Sequence, residues 1–168
     1  MPSKLFLWAK ALVFTLVAPG TVLGLIPGVI IADGRGRVPA TIGPGEVLAL
    51  ALIAGGVGLY ASCLRLFVLV GGGTPAPVDP PSAMVAVGPY RFVRNPMYVG
   101  VVTALVGEAL LFRSAVVAVY AAVVWAAFHA FVILVEEPGL RARFGESYQR
   151  YLMEVPRWAP RGPNDRLG

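Results

Sequence analysis

The chain has 168 residues, 57% of them hydrophobic and 14% charged, with a mean hydropathy of +0.74, an apolar load that exceeds what a soluble core of this size needs. That composition excludes a soluble globular enzyme and points to an integral membrane protein. The net charge of +5 and isoelectric point near 9.8 fit attraction to anionic lipid headgroups better than nucleic-acid binding, and the single cysteine, Cys63, excludes an internal disulfide or a cysteine metal site.

Four apolar stretches, Leu5 to Ala32, Val47 to Val70, Pro96 to Phe112 and Ala115 to Val135, each approach the ~20 residues that cross a ~30 Å hydrocarbon layer as a helix. None alternates as barrel strands do, so backbone groups in lipid must be satisfied within helices. The expectation is an all-α polytopic bundle of about four transmembrane helices, forming one domain over residues 1–168, with a C-terminal amphipathic helix. The first stretch has no Ala-x-Ala cleavage site and is too long for a signal peptide core, so it reads as retained. Its Pro19 and Pro27 predict a kink or a break. In the second, Gly55-Gly56-x-Gly58 permits close helix packing without requiring an oligomer. Arg65, near its end, reads as a snorkelling residue or as a ligand for an anionic group.

Residues 71–95 are polar, glycine-rich and interrupted by Pro80-Pro81, which predicts an extended loop able to fold over the helix ends. It runs into Gly88-Pro89-Tyr90-Arg91-Phe92-Val93-Arg94-Asn95-Pro96-Met97-Tyr98-Val99-Gly100, a strip with two arginines and two tyrosines beside an apolar run. Asn95 is a preferred N-cap and Pro96 is tolerated at the first helical position, so the third span begins inside the strip. Arg113-Ser114 leaves almost no loop before the fourth span, with Ser114 as its N-cap, and predicts a tight antiparallel hairpin. The hairpin returns Val135 to the level of Asn95, and brings Glu136-Glu137, the only adjacent acids of the chain, beside Arg91 and Arg94. Basic residues concentrate on the side of the termini, which predicts cytoplasmic termini, a cytoplasmic loop over 71–95 and a cytoplasmic tail over 136–168.

Helix-end N–H groups with Arg91 and Arg94 suit a carboxylate or phosphate, the acidic pair suits a cation, and tyrosine and proline faces suit an aromatic base. S-adenosylmethionine carries all of these groups. The competing reading is that the arginines are interfacial anchors and pair with acids that merely end a helix. His129 lies seven residues before Glu136, on the same face of an α-helix, and is either a proton acceptor or a hydrogen-bonded structural residue. Glu108, near the far end of the third span, reads as locally paired or facing water. From Pro138 to Pro156, Leu140, Phe144, Tyr148, Leu152 and Val155 recur at helical spacing among charges, the pattern of an interfacial helix that Gly145 bends.

The strip, the acidic pair, Phe144-Gly145-x-x-Tyr148-x-x-Tyr151 and Val155-Pro156, over about residues 60–160, resemble the isoprenylcysteine carboxyl methyltransferase and phospholipid methyltransferase family of membrane enzymes. Thr74-Pro75-Ala76-Pro77 resembles a bacterial branch of it, and a bacterial inner membrane is the implied location. The resemblance implies S-adenosylmethionine-dependent methyl transfer to a lipophilic acceptor entering from the bilayer, at the cytoplasmic face. It implies cofactor contacts from Met84, Val85, Tyr90, Asn95, Pro96, Met97, Tyr98 and Glu136, with Arg94 and Glu137 in support and the tail closing the pocket. The candidate catalytic set is then Arg94 with His129 or Glu137 as proton acceptor, and no metal. The prenylcysteine enzymes usually have His where this chain has Asn95, and a basic residue before the acidic pair where this chain reads Phe131-Val132-Ile133-Leu134-Val135. Both departures argue against a free prenylcysteine carboxylate and leave an isoprenoid carboxylate, a lipid amine or a hydroxyl open. The rival classes are a non-catalytic membrane protein and a sterol-reductase-like NADPH oxidoreductase, which would require more spans and basic contacts for a 2′-phosphate.

Overall fold

The fold is seen in a computed structural model that describes residues 4–73 and 84–160. The motifs Thr74-Pro75-Ala76-Pro77 and Pro80-Pro81 lie outside the described residues. Within them the chain is helical, with no strand: α1 (Lys4–Arg35), α2 (Pro44–Gly71), α3 (Pro96–Leu111) and α4 (Ala115–Glu154), with a 3₁₀ turn at Gly88–Arg91 before α3. α1, α2 and α4 are long and apolar enough to cross a membrane, and α3 is a shorter apolar helix. This is the membrane helical bundle that the composition dictates.

The prolines of α1 do not break it. Each proline lacks the N–H that an α-helix needs, and in lipid no water replaces the lost bond. The helix widens into a π turn over Gly20–Leu25, directly after Pro19, resumes over Ile26–Ile30 around Pro27, and widens again over Ile31–Arg35. The result is one continuous element whose last turn departs from helical geometry at Gly34, φ 77°.

The tightest packing is between α2 and α3, and small residues create it. A Cβ on Gly56 would collide with the Gly100 carbonyl, one on Gly100 would lie 2.6 Å from the Gly56 carbonyl, and one on Gly107 would lie 2.7 Å from that of Ala49. Backbones can approach this closely only where side chains are missing. Of the glycines in the Gly55-Gly56-x-Gly58 motif, Gly56 is therefore used inside the chain, whereas Gly55 and Gly58 face open space. Leu105 of α3 shares one buried core with Ala121 and Val124 of α4.

The hairpin forms as expected, with the Ser114 hydroxyl accepting from Val117 N–H at 3.3 Å. At this end Ser114 Oγ also donates to the Arg35 carbonyl, Arg37 N–H donates to the Phe112 carbonyl at 2.7 Å, and buried Glu46 takes Gly43 N–H at 3.0 Å and Arg113 Nη2 at 2.8 Å. α1 is held to the rest as well by Leu7 and Ala11, buried in the main core, and by Tyr120 Oη, which donates to the Val22 carbonyl at 3.3 Å.

Candidate functional site

At the strip end, α1, α2, α3 and α4 line a cavity of ≈ 790 Å³, within the ~300–1,000 Å³ typical of small-molecule sites. It has two parts. One is an apolar arm between α1 and α4, walled by Phe14, Ala18 and Val22 on one side and Ala127, Phe128 and Phe131 on the other. The other is a polar end lined by Arg94, Asn95, Tyr98, Glu136, Glu137 and Arg143, with Met84, Val85, Tyr90, Phe144, Tyr148 and Tyr151 around it.

Adjacent residues of a helix point about 100° apart, so Glu136 and Glu137 look in different directions. Glu136 accepts from Tyr98 Oη at 2.9 Å, and Tyr98 is itself held by stacking on Phe128 at 4.4 Å. Among the described residues Glu136 has no ion pair. Glu137 is buried and saturated: Oε1 takes Arg94 Nη1 at 2.8 Å and Arg157 Nε at 2.7 Å, while Oε2 takes Arg157 Nη2 at 3.0 Å and lies 3.6 Å from Arg141 Nη2. The carboxylate beside Arg157 raises its guanidinium above the usual arginine range, against a smaller opposing effect of burial. An acid engaged by three arginines is a structural tie. Glu137 is therefore not placed as a proton acceptor, and Arg94 is occupied in holding it.

The tail closes this end from below. Its backbone runs under the strip, with Arg94 N–H donating to the Pro156 carbonyl at 2.9 Å and Asn95 Nδ2 donating to the Arg157 carbonyl at 3.2 Å. Asn95 occupies the N-cap position of α3, but its side chain makes no cap bond; the tail carbonyl has taken it. Pro96 is buried and faces away from the cavity, against a second apolar groove with Trp158. Tyr148, Tyr151 and Val155 pack with Met84, Leu140 and Phe144 into a small core, so the apolar face of the tail covers protein and not only headgroups. Gly145, φ 53°, breaks the helical path here, where an L side chain would be strained. Tyr151 Oη donates to the Tyr90 carbonyl at 2.7 Å. Burial, with Cys63 alongside, holds the Tyr90 phenol well above its usual range, so it stays neutral.

His129 is not in the cavity. Its Nδ1 accepts from Trp158 Nε1 at 2.9 Å, and its ring stacks on Trp125 at 5.4 Å. The reason is the π turn over Val132–Glu136, which puts one extra residue, about 100° of rotation, between His129 and Glu136 and removes them from a common face. Arg65 is exposed and does not line the cavity, and Glu108 has a buried Oε2 with no hydrogen-bond partner among the described residues.

Of the eleven residues expected at the site, nine meet around one cavity, and Pro96 and His129 do not. Sequence reasoning missed Arg143, which lines the cavity, rests on the Phe144 ring at 5.5 Å and has no carboxylate partner among the described residues. Its spacing of seven from Glu136, on the same helix, was the available signal. It missed Arg157 as well, whose only signal was its place next to Val155-Pro156.

Comparison with curated proteins finds no match. A family model described as phospholipid methyltransferase matches residues 45–147, a stretch that contains α2, the strip, α3, the acidic pair and the start of the tail. The family's work is methyl transfer to lipid-like molecules, and an apolar arm meeting a polar end is suited to that. The chain belongs to the phospholipid methyltransferase family.

Proposed function

We propose that this protein is an S-adenosylmethionine-dependent methyltransferase that acts on a lipophilic acceptor entering from the bilayer, at the cytoplasmic face of a plasma membrane, with both termini cytoplasmic. The observation that carries it is that one cavity joins an apolar arm, lined by α1 and α4, to a polar end. The residues at that end fit the cofactor. Among the described residues Glu136 is a carboxylate without an ion pair, suited to an ammonium or to hydroxyls, and Arg143 is a cation without a carboxylate, suited to the amino-acid carboxylate. Met84, Val85, Phe144 and Tyr148 offer faces for an aromatic base. Bound there, S-adenosylmethionine supplies a methyl group already activated by its sulfonium.

The chain must then supply alignment and dryness. Walls on α1 and α4 confine a long apolar acceptor to one approach line, and such orientation is worth up to ~7–11 kcal/mol of the barrier. The tail core excludes water from the polar end. With Glu137 saturated and His129 outside, Glu136 Oε2 is the group to receive a proton from an amine or hydroxyl acceptor; a carboxylate acceptor needs no such step. The oxidoreductase reading loses support because Arg94, Arg141 and Arg157 are all engaged by Glu137, which leaves Arg143 as the one cavity arginine without a carboxylate partner among the described residues, and the cofactor carboxylate claims it.

Equilibrium binding of labelled S-adenosylmethionine to the purified protein tests the reading against Glu136→Ala and Tyr98→Ala. Binding in the parent that drops in both variants supports it. No binding in the parent, or undiminished binding in both variants, sinks it. Methyl incorporation into isoprenoid acids, lipid amines and prenylcysteine then identifies the acceptor.

A further inference from the structure

The apolar arm contains a polar pair that the site as described does not use. Tyr60, on α2, lines the cavity while only 6% exposed, and its hydroxyl lies 2.8 Å from Thr15 Oγ1 on α1. Thr15 Oγ1 in turn lies 2.8 Å from the Ala11 carbonyl. A carbonyl can only accept, so the single proton of Thr15 goes to Ala11. The proton in the Tyr60 to Thr15 bond must then come from Tyr60. Tyr60 is left with acceptor lone pairs and no proton to offer.

The depth of this group matters. A Cβ on Gly100 would lie 3.0 Å from Tyr60 N, so the Tyr60 backbone packs against α3 beside Gly100, and its side chain reaches from there to Thr15 on α1. The apolar arm thus presents, at Tyr60, a hydroxyl that accepts. It matches a group that carries protons and mismatches one that carries only lone pairs.

We propose, resting on the methyltransferase reading of this cavity, that Tyr60 is a specificity-determining residue. Its oxygen accepts a hydrogen bond from the N–H or O–H of the acceptor's reacting group. Thr15 is the positioning residue that sets the direction of this bond. Amines and hydroxyls are selected together, while carboxylates, esters and ethers are disfavoured.

The test uses the full chain in lipid nanodiscs and three probes, octanol, octylamine and octyl methyl ether, with dissociation constants from calorimetry. In the parent, octanol and octylamine bind about fivefold tighter than the ether, the factor expected of one net hydrogen bond. The tighter of the two distinguishes a hydroxyl from an amine acceptor. Tyr60→Phe abolishes the preference. Thr15→Val frees the Tyr60 proton, so the ether gains affinity and the gap narrows. A purely structural role for Thr15 would weaken all three probes alike. The proposal fails if the parent shows no preference, if the preference survives Tyr60→Phe, or if Thr15→Val shifts the three probes equally. These probes occupy the arm without S-adenosylmethionine, so failure here is a separate result from failure of cofactor binding.

Discussion

Each end of the bundle holds a buried carboxylate that takes arginine, and the two clusters differ in what surrounds them. At the hairpin end Glu46 takes one guanidinium, that of Arg113, whose side chain is 72% exposed. At the strip end Glu137 takes Arg94 and Arg157, whose side chains are 13% and 30% exposed, with Arg141 alongside. The first cluster is washed by solvent and ties a turn. The second is largely desolvated and fixes the strip, α4 and the tail relative to each other. Only the second has an adjacent acid, Glu136, aimed into a cavity. The lesson is that the more conspicuous ion cluster frames the cavity, while the adjacent acid, which has no ion pair among the described residues, is the one the proposed function uses.

The sharpest way to break this comparison is Glu137→Gln. Removing one partner of a buried ion cluster leaves Arg94 and Arg157 uncompensated, a cost of about 3–5 kcal/mol. Thermal unfolding in nanodiscs should show a large loss of stability, with cofactor binding lost as the strip and tail separate. Unchanged melting would make the strip end as inert as the hairpin end. Next in size is Glu136→Gln, which keeps shape and removes charge. A charge-assisted hydrogen bond is worth about 1.5–3 kcal/mol, so S-adenosylmethionine affinity should fall roughly 10- to 100-fold while melting barely moves. Stability loss without affinity loss would reverse the roles of the two acids. Smaller again is His129→Phe, which keeps stacking on Trp125 and loses the Trp158 hydrogen bond, at about 1 kcal/mol. Cofactor affinity should not change; a tenfold loss would return His129 to the site.

The hairpin and the return of the acidic pair were legible because their signals are local. Asn95-Pro96 starts one helix, Ser114 starts the next, and counting residues brings Glu136 back to the strip. The division of labour between Glu136 and Glu137 was not legible, because the decisive partner, Arg157, lies 20 residues along a tail whose path is set by packing of Tyr148 and Tyr151. His129 was misplaced for a similar reason. Val132-Ile133-Leu134-Val135 reads as any apolar helix, and nothing in it marks the π turn that rotates Glu136 away. The N-cap bond of Asn95 was a sound local expectation that a tertiary carbonyl overrode. In α1 the prolines were visible, but whether the chain kinks, breaks or widens depends on which adjustment satisfies the freed carbonyls in lipid.

The smallest expected effects belong to the hairpin end, and there they are split by backbone geometry. Arg113 is the only non-glycine residue with positive φ among those described, at 48°, a conformation that costs an L residue about 1–2 kcal/mol. Arg113→Ala removes the ion pair and keeps that strain, whereas Arg113→Gly removes both. Because the guanidinium is mostly solvated, its pairing contributes little, and Glu46 keeps its bond from Gly43. Arg113→Gly should therefore melt no lower than the parent and above Arg113→Ala, with S-adenosylmethionine affinity unchanged in both. If the glycine variant melts well below the parent, the Glu46 pair holds the hairpin more strongly than its exposure allows, and the two ends of the bundle are more alike than their surroundings indicate.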